Sequence, residues 1–300
     1  MLIDQPRACT ATKAPQRPGP DRRRVAGARR RNPRGSRPYV AIRPPTTRRS
    51  RADPPPRPYT VESLRFAVTG RAALPDTHGV LLADLLHRMV VRELDGGRAE
   101  VIGHAGAAND HTHAHWVPIP ERGVVTGLLV WVPVGLSTAE VAAVLTATQR
   151  GGRAEYLAWP GGDAGDLPEL RLDLQAAGPV ATVAPELYGT SRVWRSLTPY
   201  LPVRHRKHAD LSAYLTEDVR HELAYRGRPP ALVRRLGPAG DETDDWASTF
   251  RRHRLKEDRP RHRPGYGLRL VFEEPQTGPL LLGQLSHFGF GIFVPEGGER

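Results

Sequence analysis

The sequence predicts an α+β protein of two ferredoxin-like (RRM-like) βαββαβ domains, the second degenerate, behind a disordered tail. Three observations lead there. From residue 64 to 175 the hydrophobic period switches between about two and about 3.6 in the order strand, helix, strand, strand, helix, strand. The same theme returns less cleanly from 192 to 295, with a glycine-rich stretch where the second helix is expected. Residues 1–58 hold 15 Arg, 12 Pro and a single aromatic residue, Tyr39, too little apolar surface to offset the entropy of ordering. The expected divisions are 1–58 for the basic tail, 59–190 for the first domain and 191–300 for the second.

Each element has its own signal. LRFAVTG (64–70) alternates and is rich in β-branched and aromatic residues, so it reads as a strand. In the stretch that follows, Leu82, Leu85, Leu86, Met89, Val90 and Leu94 recur at helical spacing, and Gly96–Gly97 end the helix. AHWVPIP (114–120) reads as a short strand and the apolar run GLLVWVPV (127–134) as a central one. STAE (137–140) is a capping box that opens a helix with Val141, Val144 and Leu145 inward. LRLDLQ (170–175) closes the first unit as a strand. In the second unit, RVWRSLTPYLP (192–202), ALVRRL (231–236), YGLRLVFEE (266–274) and FGIFVP (290–295) read as strands. Residues 210–227 read as a helix with Leu211, Tyr214, Leu215, Val219 and Leu223 inward and Gly227 past its end.

The chain has 300 residues and a formal charge of +12. One cysteine, Cys9, excludes a disulfide framework and a Cys-rich zinc module. No run of 18 apolar residues exists and no secretory signal is evident, so no membrane partner and a cytoplasmic location are expected. The tail alone carries +13, which leaves −1 for residues 59–300. Such a tail reads either as a sequence-blind nucleic-acid-binding arm or as a linker. The body is itself divided: −6 over 59–191, +7 over 192–263 and −2 over 264–300. The basic middle includes RHRK at 204–207 and RRHRLK at 251–256.

Three stretches carry residues fit for chemistry. GHAGAANDHTHAHW (103–116) holds four of the 12 His. His111, His113 and His115 fall at alternate positions, which share one face on a strand. With Asp110 they could chelate a transition metal. Alternatively they serve metal-free acid–base cleavage of RNA, because His ionises near pH 6.5, and that chemistry calls for no cofactor. The plain alternative is a set of surface or hydrogen-bonded His. Arg204, Arg206 and Lys207 lie between a strand and a helix, where phosphate contacts fit. GPLLLGQLSHFGFGIF (278–293) sets Gly278, Gly283, Gly289 and Gly291 around a turn, and its Phe could stack on a base or fill the core. No G-K-[ST] follows, which excludes a phosphate-loop triphosphatase.

As a set these stretches resemble the CRISPR-associated RAMP superfamily, more narrowly the type I-U (I-G) protein in which Cas-five-like and Cas-six-like parts are fused. The matching segments are FAVTGRAALP (66–75), GHAGAANDHTHAHWVP (103–118), LLVWVPVGL (128–136), WRSLTPYLPVRHRK (194–207) and GPLLLGQLSHFGFGIFVP (278–295). They cover the Cas-six-like region. The ferredoxin-like part that members usually carry ahead of it is not matched, and the Arg/Pro-rich tail stands in its place. The resemblance implies an endoribonuclease that matures precursor CRISPR RNA at its repeats, without metal, leaving a 5′-hydroxyl and a 2′,3′-cyclic phosphate. It implies repeat RNA and the other subunits of a type I effector complex as partners, in antiviral defence. Carried over by position, His104, His111 and His113 are the catalytic candidates, with His115 less fixed in the pattern. Arg204, Arg206, Lys207, Gly283, His287, Gly289 and Gly291 are the RNA-binding candidates.

Overall fold

The first sheet forms because four amphipathic or apolar runs each need one face covered. A computed structural model describes residues 61–94, 113–150, 153–154, 169–205, 210–236, 245–252, 254 and 264–297. Strands β1 (Val61–Gly70), β2 (His115–Glu121), β3 (Val124–Leu136) and β4 (Leu170–Gly178) pair antiparallel in the order β2-β3-β1-β4. Helices α1 (Gly79–Glu93) and α2 (Thr138–Thr148) cover one face. This is the strand order of a ferredoxin-like βαββαβ unit. Phe66, Trp116, Leu128 and Val130 meet Leu82, Leu85, Leu86 and Val144 in its core. Each such side chain, once buried, contributes about 1.5–3 kcal/mol. Pro118 and Pro120 are tolerated in β2 because it is the sheet's edge.

The local signals hold with two adjustments. Ser137 caps α2: its backbone N–H donates to Glu140 Oε2 at 2.7 Å, and Glu140 N–H donates to Ser137 Oγ at 3.3 Å. The buried face of α2 is Ala143, Val144 and Ala147, while Val141 and Leu145 sit at its margin, because small residues let the helix approach the sheet. The first strand of the second unit stops at Ser196 rather than 202. Pro199 and Pro202 lack the N–H a ladder needs, and only Tyr200 bridges, to Tyr266. The stop at Gly96–Gly97 and the tail at 1–58 lie outside the described residues.

The second sheet repeats the topology with one helix replaced. Strands β5 (Thr190–Ser196), β6 (Ala231–Arg235), β7 (Leu268–Thr277), β8 (Leu280–Leu281) and β9 (Ile292–Pro295) pair antiparallel in the order β8-β9-β5-β7-β6. A four-residue helix, α3 (Val180–Val183), links the two sheets. Helix α4 (Leu211–Tyr225) packs Tyr214, Leu215, Val219 and Leu223 on the second sheet. A further short helix, α5 (Asp245–Thr249), follows β6. Where a second long helix belongs there is a loop with one 3-10 turn, Ser286–Phe288. The helix-free face of the first sheet is not bare. Val117, Ile119 and Leu129 pack against Val180, Val183 and Leu187, and against Leu281 and Ile292 of the second sheet. The loop that replaces the helix is thereby pressed onto the start of β2.

No helix among the described residues is long and apolar enough to cross a membrane.

Candidate functional site

The glycine-rich loop is shaped by close approach of backbone. Gly289 has φ +90°, and a side chain there would collide with the Pro118 ring of β2. Gly291 has φ +56°, and its missing Cβ is displaced by the Leu282 carbonyl across the loop. Gly283 donates its N–H to Glu222 Oε2 at 3.1 Å, with Tyr200 and Leu201 in the space a side chain would take. All three positions therefore face protein, and their glycines are explained by folding. Gly278 is likewise filled by Trp194 and Leu187. Phe290 is core rather than a base-stacking face.

That loop delivers His287 to the start of β2. The His287 ring stacks between His113, at 3.8 Å and 14°, and His115, at 4.0 Å and 19°. His115 in turn lies over Trp131 at 5.0 Å and 28°. Four rings from three chain segments thus form one column. Two ring nitrogens pair with backbone across the junction: His115 Nδ1 with Ser286 O at 3.3 Å, and His287 Nδ1 with Ala114 O at 3.2 Å. Trp131 Nε1–H donates to Glu62 Oε1 at 3.0 Å, which fixes the column's foot. His115 is buried, whereas His113 and His287 at the outer end are half-exposed.

The expectation of three His on one strand face is corrected. β2 begins at His115, so His113 precedes it in a bend, and its neighbour on the column comes from the loop instead. His104, His111 and Asp110 lie outside the described residues, as do Arg206 and Lys207. Among the described residues, no group of three His, Cys, Asp or Glu is gathered within metal-ligating reach.

Behind the column is a buried polar network on α4. Asp218 accepts from Tyr200 Oη at 2.5 Å, Val203 N at 3.0 Å and Arg204 N at 2.9 Å. Burial, then the Asp218 charge, pushes the Tyr200 phenol well above its ordinary value, so it stays a donor. Glu222 pairs with Arg226 at 2.7 Å, and Arg226 reaches Ser286 Oγ at 3.5 Å. Arg204, a phosphate-contact candidate, is partly spent here: its guanidinium lies 3.5 Å from Asp218 and 3.8 Å from Glu222, with the side chain 43% exposed. On the other flank, Arg254 pairs with the fully buried Asp84 of α1 at 2.7 Å and covers the Phe288 ring at 4.0 Å. One cation of the basic run 251–256 is therefore an internal tie. Sequence reasoning missed Asp84, Asp218 and Glu222. The available signal was a carboxylate on each helix's inward stripe.

The fold and site together describe a protein of two ferredoxin-like sheets with an imidazole column where they meet. No family model matches the chain, and no curated protein matches it. Among solved structures, the chain is similar to one described as "CRISPR associated protein Cas6", with TM-score 0.39 and 10% identity over 78% of this chain and 98% of that one. It is also similar to "An RAMP protein binding different RNA substrates", with TM-score 0.40 and 11% identity over 79% and 99%. A third, "CRISPR RNA processing endoribonuclease Cas6b", aligns with TM-score 0.34 and 10% identity over 79% and 99%.

Proposed function

We propose that this protein is a CRISPR-associated endoribonuclease that cuts precursor CRISPR RNA at its repeats, with His113 and His287 as its acid–base pair. The observation that carries the reading is the stacked column, whose two outer imidazoles sit 3.8 Å apart at a half-exposed junction. The double ferredoxin-like topology and the sequence resemblance support it. In this reading one imidazole, neutral, takes the 2′-OH proton, and the 2′-oxygen attacks the adjacent phosphorus. The other, protonated, gives its proton to the departing 5′-oxygen. The products are a 2′,3′-cyclic phosphate and a 5′-hydroxyl, and each imidazole ends in the other's starting state. His115 orients His287 by stacking. His104 and His111 share the motif with His113 and remain catalytic candidates beside it. Arg204, with Arg206 and Lys207 of the same basic run, meets repeat phosphates. The protein then stays with its RNA as a subunit of a type I-U/I-G effector complex.

The test is incubation of labelled repeat RNA with EDTA present. Cleavage is expected, and His113→Ala or His287→Ala should lower the rate about 10²–10⁴-fold while binding persists. Absence of cleavage by the wild type, with binding intact, would convert the reading to a non-catalytic RNA-binding subunit. Undiminished cleavage by the double variant would remove the two His from the chemistry.

A further inference from the structure

The strand register of the second sheet builds a second surface, distinct from the His column. Arg195 of β5, Arg269 of β7 and Arg234 of β6 are direct cross-strand partners in one row. Trp194, Leu270 and Val233, the row beside them, point into the core under α4, so the three Arg share the face opposite α4. Like charges directly opposite one another across a sheet destabilise it, so the row is a cost to the fold alone. Glu296 pairs with the middle member, Arg269, at 2.7 Å, while Arg195 and Arg234 at the two ends are exposed.

What flanks the row narrows the occupant. Two residues further along each strand, on the same face, come Val193, Val271 and Leu232, the last 53% exposed. On the other side, the space above Gly267 is filled by Trp246 of α5, 38% exposed. The exposed carboxylate Glu273 lies beyond the aliphatic row, away from the Arg side. The face thus offers a line of guanidinium groups about 5 Å apart, bordered by one indole and by apolar side chains. Guanidinium groups hold phosphates and an indole stacks on a base of any identity.

We propose that this face, β5–β7–β6 with Trp246, is a sequence-blind binding site for single-stranded polynucleotide. The phosphates lie along Arg195, Arg269 and Arg234, and a base stacks on Trp246. The site needs no cleavage chemistry and stands whether or not the His column cuts RNA.

The experiment uses the full chain with a photo-crosslinking residue in place of Leu232, beside the row, or in place of Tyr225, exposed on α4. The probes are labelled 20-mers of oligo(U) and oligo(dT). Both should crosslink at position 232, within about threefold of each other, and not at 225. Arg195→Gln with Arg234→Gln should reduce crosslinking at least about tenfold. The same pair should make the dependence of log K on log salt shallower by about 1.4. Trp246→Ala should weaken binding and leave that slope unchanged. His113→Ala with His287→Ala should leave crosslinking unchanged, which separates this site from the cleavage reading. Equal crosslinking at 225, an unaltered slope in the Arg pair, or a requirement for ribose would overturn the proposal. Full displacement by poly-glutamate at equal charge would overturn it in favour of an acidic protein partner.

Discussion

The two halves share the ferredoxin-like strand order, with one extra edge strand, β8, in the second, and they differ in what holds their loops. In the first, both helices are present and the core is aliphatic and aromatic, with one fully buried carboxylate, Asp84, tied to Arg88 and Arg254. In the second, a loop replaces one helix, and beside the apolar core two buried carboxylates of α4 hold that loop and the segment that precedes α4. Glu222 holds Gly283, Arg226 ties Glu222 to Ser286, and Asp218 gathers Tyr200, Val203 and Arg204. A helix would have satisfied its own backbone. A loop leaves donors that need acceptors, and buried carboxylates supply them at the cost of desolvation. The exchange sets a backbone turn against β2, where His287 can slide between His113 and His115. The half that departs from the regular fold is the half that completes the imidazole column.

The comparison breaks most sharply at Asp218. Asp218→Ala removes the acceptor from a phenol and two backbone N–H groups at once and strands them under α4. The expected loss is about 3–5 kcal/mol, read by denaturant unfolding. A loss below about 1 kcal/mol would mean that the second half, like the first, rests on its apolar core.

Most of the strand-and-helix order was legible because period two and period 3.6 are local properties. The missing helix was legible too, since Gly283, Gly289 and Gly291 cannot sit in a stable helix. The column was not. His113 and His287 are far apart in sequence, and stacking across such a gap leaves no periodic trace. His287 therefore read as an RNA-binding candidate with no link to His113, and Trp131 as part of a strand. Asp218 and Glu222 were half-legible: they fall on the same stripe as Leu215, Val219 and Leu223, and a carboxylate on an apolar stripe demands a buried partner. The charge pattern misled in one place, because Arg254 of the basic run turns inward to Asp84.

Tyr200 sharpens the comparison through pH. Its folded-state phenol is held above the ordinary value by burial and by Asp218. Below about pH 10 both folded and unfolded chains keep that proton, and the stabilisation is complete. As pH rises past about 10 the unfolded chain releases it first, so stability falls with pH toward the raised folded value. Tyr200→Phe should cost about 1–3 kcal/mol at pH 7. The same variant should flatten the alkaline fall in stability. Parallel alkaline limbs in wild type and variant would sink the assignment.

The smallest effect is expected in the first half, at the cap of its second helix. Ser137→Ala removes the acceptor for Glu140 N–H and loosens the reciprocal bond from Ser137 N–H to Glu140. This is one reciprocal pair at a helix end, so the cost is about 1 kcal/mol. Asp218, also an acceptor of backbone N–H groups near a helix, costs several times more because it is itself buried and leaves the buried Tyr200 hydroxyl without an acceptor. The ratio between these two variants measures how far each half depends on polar contacts. If Ser137→Ala costs as much as Asp218→Ala, burial is not what separates them, and the contrast between an apolar half and a polar half fails.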